Sequence, residues 1–321
     1  MGALIPIINI IEKAELVRRP DVRRIDIAPG GFVQYLDHMG SDETIIDAAR
    51  TSTGKGFLSW DPYWRCDLCG HWGTKHQVGG LECVWPKEHV LKEFPRGDNG
   101  LLEYMYKNKH ETPAEMPVYR VLIKAPILYW RQRHRHRAAS YNEQSARYMQ
   151  LPSDFYAPRP EEVLGVSKSN KQGSAGEIPL DKVNEFLRDV EDHQKSTYAL
   201  YEKWLKFGIA PETARQELPV SIYSVGIAQT NLRMGLHHLG LRDDAHAQNI
   251  TQQYARAEAA FVQALYPRWY ALYEEYTKYS VKLSRTEAAL LKGVLKNSVG
   301  PTDDAPQWSA EVEALVRRLT A

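Results

Sequence analysis

Residues 131–148, RQRHRHRAASYNEQSARY, concentrate five arginines, two histidines, two serines and one glutamate within eighteen positions. The whole chain is nearly neutral, with a formal net charge of +1 from 41 basic and 40 acidic residues, so this cluster is a local feature. A guanidinium offers a planar fork of donors that matches phosphate oxygens, and Arg135, Arg137 and Arg147 are therefore predicted to hold a phosphorylated ligand. Ser145 and Ala146, just before Arg147, would add a hydroxyl and a close approach of the backbone to this phosphate site. The alternative is a solvated basic helix end beside the C-terminal dipole.

The sequence before the cluster predicts a strand and then a helix. Residues 117–125 alternate well enough for a half-buried strand. Pro126 suits the first position of a helix, so the basic cluster is expected at the far end of that helix and in the loop after it. Residues 31–56 predict another strand followed by a short helix, with Ser41 or Asp42 as its N-cap.

The second half of the chain is predicted to be mostly helical. Residues 181–207 have the apolar spacing of a long amphipathic helix. Residues 219–230 predict a strand, and Asn231 is the expected N-cap of a short helix that ends at Gly240. A further helix is expected over residues 245–265. Few strands and many helices, not strictly alternating, predict an α+β fold.

Two segments stand apart from the main domain, which is expected to span residues 1–280. Residues 60–98 are rich in Gly, Trp, Cys, His and Pro and are interpreted as an insertion, and residues 281–321 as a C-terminal helical extension. The insertion carries thiolate and imidazole ligands for a structural zinc site at Cys66, Cys69, Cys83 and His89. An unmetallated loop with free cysteines is the equally supported alternative.

The bulk composition excludes several classes of protein. Three cysteines within one stretch argue against a disulfide framework and suit a reducing compartment. The apolar segment at residues 2–11 is short, lacks a positive leader and continues into charged residues, so neither a signal peptide nor a membrane span is expected. The protein is therefore predicted to be soluble and cytoplasmic, in the host cytoplasm if its source is viral.

A longer motif surrounds the basic cluster. Arg135, His136 and Arg137 are followed by seven residues and then by Ser145. Further segments along the chain support this motif, among them KNKHETPAEM at 107–116, KAPILYWRQ at 124–132 and LGLRDDAHAQNITQQYA at 239–255. In these motifs the chain resembles the flavin-dependent thymidylate synthases, over roughly residues 31–56 and 99–279.

The resemblance implies a fold, a reaction and a set of partners. The fold would be mixed helices around a small, largely antiparallel sheet. The protein would be a homotetramer with active sites between subunits and no nucleic-acid or membrane partner. It would transfer a methylene group from methylenetetrahydrofolate to deoxyuridine monophosphate (dUMP). The hydride that completes the methyl group would come from reduced FAD, which is itself reduced by NADPH.

The resemblance also implies which residues contact each ligand. The residues expected to bind dUMP are Gln132, Arg135, Glu143, Gln144, Ser145, Ala146, Arg147, Arg215 and Arg242. The residues expected to bind FAD are His110, Thr112, Glu115, Arg135, His136, Arg137, Glu143, Asn231, Arg233 and His237. The residues expected at the reacting centre are Arg242, Ser145 and Arg135.

Physical chemistry assigns separate roles to these groups. Negative charge builds up on the uracil carbonyl and N3 region as C5 becomes nucleophilic, and Arg242 is expected to stabilise it. Ser145 is interpreted as a phosphate or ring ligand, because a serine nucleophile needs an adjacent base. His110 and His136 are expected to face the isoalloxazine, where hydrogen bonds tune the cofactor.

Two other functions remain open at this point. The first is an RNA- or DNA-binding module that uses the basic cluster together with Tyr129, Trp130 and Tyr141 as stacking platforms. The second is a flavoprotein that oxidises NADPH and has no nucleotide substrate.

Overall fold

A computed structural model of the chain describes residues 23–27, 29–66, 70–74, 91–167 and 174–298. The strands of this part are β1 (Arg24–Ile27), β2 (Gly31–Met39), β3 (Tyr63–Cys66), β4 (Trp72–Gly73), β5 (Leu91–Phe94), β6 (Val118–Pro126), β7 (Ala139–Glu143) and β8 (Tyr223–Asn231). Its helices are α1 (Asp42–Ala49), α2 (Asn99–Lys107), α3 (Ile127–Arg133), α4 (Leu180–Lys206), α5 (Pro211–Ala214), α6 (Leu232–Arg242), α7 (Asn249–Leu265), α8 (Pro267–Tyr273) and α9 (Arg285–Ser298). None of the described helices is long and apolar enough to cross a membrane.

A five-stranded sheet in the order β1-β2-β6-β8-β7 forms the centre of the fold, and all its neighbouring strands are antiparallel. Strands β6 and β8 pair along their full length, from Val118 opposite Asn231 to Pro126 opposite Tyr223. The predicted α+β class and the small antiparallel sheet are thereby confirmed.

The core lies between one face of this sheet and the helices that follow it. In β6 the buried side chains alternate along the strand, from Tyr119 through Val121 and Ile123, because every second residue points to the same face. Helix α7 covers that face and buries Phe261 and Val262 in the same apolar cluster. The sheet and α7 therefore form a rigid support for the ends of the strands.

Several predicted boundaries differ from the structure. Pro126 ends β6, and α3 begins one residue later. Helix α6 continues past Gly240 to Arg242, where the Asp243 N–H donates to the Leu239 carbonyl at 2.8 Å. The helix predicted from residue 245 begins later because Asp244 accepts the His246 N–H at 2.8 Å, a local turn that delays α7. The predicted strand at 219–230 likewise begins later, as β8.

Other predictions at the level of elements are confirmed. Ser41 is the N-cap of α1, and the long helix predicted at 181–207 is α4. The extension predicted from residue 281 contains α9, which starts with a capping box: the Ser284 N–H donates to Glu287 at 2.7 Å, and the Glu287 N–H donates to Ser284 Oγ at 3.3 Å. The chain after residue 298 lies outside the described residues.

The segment interpreted as an insertion is tied to the core at its end. Its described part forms a second sheet in the order β4-β3-β5. Asp98 is fully buried and accepts hydrogen bonds from the Arg50 guanidinium, at 2.9 Å from Nη1, and from Tyr63 Oη at 3.0 Å. Cys66 is buried as well. The other proposed zinc ligands lie outside the described residues, namely Cys69, Cys83 and His89.

Candidate active site

A cavity of about 300 Å³ opens where the turn after α3 meets α6 and the ends of β7 and β8. Its wall includes Arg135, His136, Arg137, His237, His238 and Arg242. Two parts of the chain that are more than 90 residues apart supply these groups, and the antiparallel pairing of β7 with β8 brings them together.

The turn after α3 is held in one conformation by a tyrosine of β7. The hydroxyl of Tyr141 donates to the carbonyl oxygens of Arg133, at 3.0 Å, and His136, at 2.9 Å. The His136 N–H donates to the Arg133 carbonyl at 3.1 Å. The basic motif is therefore a tight turn fixed to the sheet, with Arg135 and Arg137 exposed at its surface.

Arg242, at the end of α6, is hydrogen-bonded to this turn and to α3. Its Nε donates to His136 Nε2 at 3.0 Å, its Nη1 lies 3.3 Å from Gln132 Oε1, and its Nη2 lies 3.4 Å from the Gln132 carbonyl. Burial, Arg242 and Arg133 lower the pKa of His136 to about 4. At neutral pH the His136 ring is thus uncharged and can accept the Arg242 hydrogen bond.

Behind the cavity lies a buried ion pair that the sequence interpretation missed. Arg133 donates from Nη1 to Glu258 Oε2 at 2.7 Å and from Nη2 to Oε1 at 3.1 Å, with side chains 1% and 0% exposed. Tyr119 Oη donates to Glu258 Oε1 at 2.6 Å. Glu258 thus accepts three hydrogen bonds in the core.

Helical spacing contains the signal for this pair. Arg133 lies four residues after buried Tyr129, and Glu258 lies four residues after buried Tyr254, so each charge is on the apolar face of its helix. Two opposite charges on apolar faces favour a buried pair, since a lone buried charge is costly.

His238 stands between the ion pair and the cavity. Its side chain is 3% exposed, its Nε2 lies 3.7 Å from Glu258 Oε2, and its ring meets the His136 ring edge-on with centroids 4.5 Å apart. Among the described residues neither ring nitrogen of His238 has a hydrogen-bond partner. Burial and the nearby Arg133 charge lower its pKa well below the usual range, so the ring is neutral.

The residues expected to hold FAD surround the start of α6. Arg233 forms ion pairs with Glu115 and, at 3.4 Å, with Glu111. Asn231 is the N-cap of α6, as predicted, and its Oδ1 accepts the Met234 N–H at 2.9 Å. A second cavity of about 410 Å³ lies beside the first, and the two share Met234 and His237. His110 and Thr112 are exposed next to this region.

The remaining residues expected to bind dUMP form a separate group around α5. Ser145 Oγ accepts the Arg147 N–H at 3.3 Å, and Arg147 pairs with Glu212 of α5 at 3.1 Å. Ala146 is buried, and Arg215 begins the turn that follows α5. Glu143 and Gln144 lead from β7 to this group. Within one chain, Arg135 and Arg242 therefore share the cavity, whereas Arg147 and Arg215 lie outside its wall.

The structure contradicts the stacking platforms of the nucleic-acid alternative. Tyr129 is 0% exposed and Trp130 is 1% exposed, so neither ring can stack on a base. Both side chains pack in the core because the face of α3 that carries them lies against α7. The prediction was wrong for these two rings, whereas Tyr141, the third proposed platform, is only partly buried.

Comparison with known proteins gives a consistent result. A family model described as "Thymidylate synthase complementing protein" matches residues 34–268. The flavin-dependent thymidylate synthase of Thermus thermophilus is 34% identical over 275 residues, which cover 86% of this chain and 87% of that protein. The one from Wolbachia pipientis wMel is 31% identical over 290 residues, which cover 88% of this chain and 90% of that protein.

A solved structure is also similar to this chain. It is the UMP/dUMP methylase PolB from Streptomyces cacaoi bound with 5-Br dUMP, 27% identical with a TM-score of 0.61, and the match covers 80% of this chain and 100% of that one. The family model and both curated relatives span the motif turn and Arg242. The chain therefore belongs to the thymidylate synthase complementing protein family, whose relatives cited above are named flavin-dependent thymidylate synthases.

Proposed function

We propose that this protein is a flavin-dependent thymidylate synthase that methylates C5 of dUMP to give thymidylate. The methylene group would come from methylenetetrahydrofolate, and the reducing hydride from FAD reduced by NADPH. The observation that carries the proposal is the Arg242 guanidinium, held at a cavity by His136 and Gln132. The names of the relatives and the 5-Br dUMP bound to the similar methylase support it.

Arg242 is suited to stabilise charge on a uracil ring. C5 is nucleophilic in the enolate-like form of the ring, which carries negative charge on its O4 and N3 side, and preorganised donors there stabilise that form and lower the barrier. One N–H of Arg242 is used by His136 and two by Gln132, which leaves one N–H on each Nη for the ring. Because neutral His136 is only an acceptor toward Arg242, it fixes the guanidinium without removing its charge.

The residues around the two cavities fit a flavin dinucleotide. The cavities adjoin at Met234 and His237, which makes an elongated groove. Arg135 and Arg137 supply exposed guanidinium donors for a diphosphate, and His136 and His237 supply ring nitrogens at the groove edge. FAD, when bound, would carry the hydride from NADPH to the transferred carbon. The residues proposed to contact it are His110, Thr112, Glu115, Arg135, His136, Arg137, Glu143, Asn231, Arg233 and His237.

We propose further that the active site is completed between subunits of a homotetramer. In one chain the group containing Ser145, Ala146, Arg147 and Arg215 is apart from Arg242, although both groups are proposed to bind the same nucleotide. A neighbouring subunit would bring its Ser145 and Arg147 to the phosphate while Arg242 faces the base. Co-expressed Arg147→Ala and Arg242→Ala chains should then regain part of the activity, since mixed tetramers contain some intact sites. No recovery in verified mixed tetramers would contradict this arrangement.

The proposed reaction is tested with purified full-length protein. Bound FAD is identified by its absorbance, and thymidylate is measured with dUMP, methylenetetrahydrofolate and NADPH present and with each omitted in turn. We expect thymidylate only in the complete mixture. NADPH oxidation that is indifferent to dUMP would support the alternative of a flavoprotein without a nucleotide substrate.

A structural zinc site is proposed for the Cys/His-rich segment, formed by Cys66, Cys69, Cys83 and His89. The Cys66 N–H donates to the His71 carbonyl and the Gly70 N–H donates to the Cys66 carbonyl, both at 2.9 Å, so backbone hydrogen bonds to residues 70 and 71 hold the first ligand. Metal analysis should find about one zinc per chain, lost in Cys66→Ser. Less than about a tenth of an equivalent would contradict the site. We also propose a cytoplasmic location, because a reducing compartment keeps cysteines out of disulfides and available as thiolate ligands.

A further inference from the structure

The buried pair behind the cavity needs an explanation beyond stability. Arg133 and Glu258 are almost fully removed from solvent, and such pairs often contribute no more stability than well-packed apolar side chains would. Glu258 is nevertheless surrounded by a complete set of partners, including Tyr119 Oη at 2.6 Å. Arg133 Nε has no hydrogen-bond partner among the described residues, but both Nη atoms donate to Glu258, and buried hydrogen bonds of this kind rigidify what they touch.

The network touches the active-site turn at two places. Arg133 is the last residue of α3, directly after Gln132, whose side chain and carbonyl accept two hydrogen bonds from Arg242. The Arg133 carbonyl also accepts the His136 N–H at 3.1 Å. The ion pair with Glu258 of α7 fixes the Arg133 side chain. It therefore also fixes Gln132 and His136, the two residues that accept hydrogen bonds from Arg242.

The second contact runs through His238. Its ring packs edge-on against His136, with centroids 4.5 Å apart and planes at 86°, on the side facing Glu258. Neither ring nitrogen of His238 has a hydrogen-bond partner among the described residues, so the ring acts on His136 by packing. Without this ring, His136 could rotate away from Arg242.

Charge gives a further reason for the pair. Arg133, Arg135 and Arg242 all lie in the cavity wall, and burial and the charge of Arg135 lower the pKa of Arg242. Glu258 neutralises Arg133, so the fixed positive charge that faces the cavity is that of Arg135, Arg137 and Arg242.

We propose that the Arg133–Glu258 ion pair and His238 are positioning residues that hold His136 and, through it, the Arg242 guanidinium at the reacting face of the cavity. The inference deepens the proposed function and rests on it for the role of Arg242. Because it concerns buried residues of this chain, it can be tested by the rate of the reaction and also by a measurement that needs no substrate.

The test compares two double variants of the full chain. Arg133→Met/Glu258→Leu removes the pair without leaving a buried charge, and Arg50→Met/Asp98→Leu removes a second pair, with side chains 11% and 0% exposed, that lies outside the cavity wall. We expect the first to lower kcat by about tenfold to a hundredfold, with little change in KM for dUMP, because a displaced catalytic group costs rate. The second should leave kcat per folded, flavin-bound chain unchanged. Equal kcat in both variants would overturn the proposal.

A readout without substrate separates this inference from the proposed reaction. In ¹⁵N-labelled protein the Arg242 Nε–H signal, assigned by its loss in Arg242→Lys, reports the hydrogen bond to His136. We expect this N–H to exchange with solvent about tenfold faster in Arg133→Met/Glu258→Leu, as loss of one hydrogen bond implies, and at the wild-type rate in the control. An unchanged rate in the first variant would overturn the positioning role even if the protein makes thymidylate. A faster rate would support it even if the wild type makes none.

Conservative rescue distinguishes packing from general destabilisation. His238→Ala removes the ring that supports His136, whereas His238→Phe keeps a flat ring and removes two unpartnered nitrogens. We expect kcat to fall about tenfold in the alanine variant and to return close to the wild-type value in the phenylalanine variant. Loss of rate in both, at equal flavin content, would contradict a role through ring packing.

Discussion

The Nε atom of Arg242 lies 3.0 Å from Nε2 of His136, although the two residues are 106 positions apart in the chain. The contact joins the end of α6 to the turn after α3 and defines one wall of the cavity. It requires an uncharged imidazole, which burial and the neighbouring guanidinium groups provide by lowering the pKa of His136.

Replacing Arg242 should separate turnover from cofactor binding. Arg242→Lys keeps a positive charge but cannot reach His136 and both acceptors of Gln132 with one ammonium group. We expect kcat to fall by about a hundredfold or more, while bound FAD per chain stays near the wild-type value. Arg120→Lys, at an exposed ion pair with Asp37, is the matched control and should retain full activity. Equal turnover in the two variants would refute the role of Arg242.

Stability should fall at acid pH because of the two neutral histidines. The pKa of His136 in the folded protein is about 4, below its unfolded value of about 6.5, so the unfolded chain takes up the proton first. The stability from this group is complete above about pH 6.5 and is lost as the pH falls toward 4. Because His136 is partly exposed, we expect about 1 to 2 kcal/mol from it after allowance for solvent screening.

Urea unfolding between pH 7 and pH 4.5 measures this effect. The variant His136→Gln/His238→Phe should show a shallower loss of unfolding free energy than the wild type over that range. Other groups titrate equally in both proteins, so the difference isolates the histidines. Parallel curves would contradict the neutral state assigned to the two rings.

Gly235 is predicted to be essential for the packing of Tyr119. A Cβ at Gly235 would stand 2.8 Å from Tyr119 Cε1 and would push the tyrosine away from Glu258. We expect Gly235→Ala to lower the unfolding free energy by about 1 to 3 kcal/mol. On the same helix a Cβ at Gly240 would stand 3.6 Å from Tyr273 Oη, so Gly240→Ala should be neutral or stabilising by up to about 1 kcal/mol. The reverse order of stabilities would contradict the close approach.

Asn231 is predicted to have two separable tasks. Its Oδ1 caps α6, and its amide nitrogen has no hydrogen-bond partner among the described residues, so it can donate to the flavin. Asn231→Ala should lose about 1 kcal/mol of stability and some FAD affinity, whereas Asn231→Asp should keep the cap and lose FAD affinity alone. Thermal unfolding of the apoprotein and titration with FAD measure the two effects. Full FAD affinity in the aspartate variant would remove Asn231 from the proposed cofactor site.

Much of the fold was predictable because the relevant signals are local. The alternation in β6, the Asn231 cap and the amphipathic period of α4 each predict an element from neighbouring residues. One boundary, the end of α6, was missed because a side chain there contacts distant segments. Helix α6 continues to Arg242 since Asp243 at its end is held by Arg256 and Lys278 from other elements.

The site was predictable only in part, for the same physical reason. The motif turn and Arg242 could be recognised from the resemblance, and the structure places Arg135 and Arg242 on one cavity. The partnership of Arg133 with Glu258 spans 125 positions and depends on how α3 packs on α7. Helical spacing indicates that each charge is buried, but only the packing of the two helices shows that they pair.

The most direct test of the account is the release of tritium from dUMP labelled at C5, because methylation at C5 must replace that hydrogen. With FAD, NADPH and methylenetetrahydrofolate, the wild-type protein should release tritium to water and form thymidylate in equal amounts. Arg242→Ala, with its flavin still bound, should release it at least about a hundredfold more slowly. No release by the flavin-bound wild type, or equal release by Arg242→Ala, would contradict the claim that Arg242 activates a pyrimidine in this cavity.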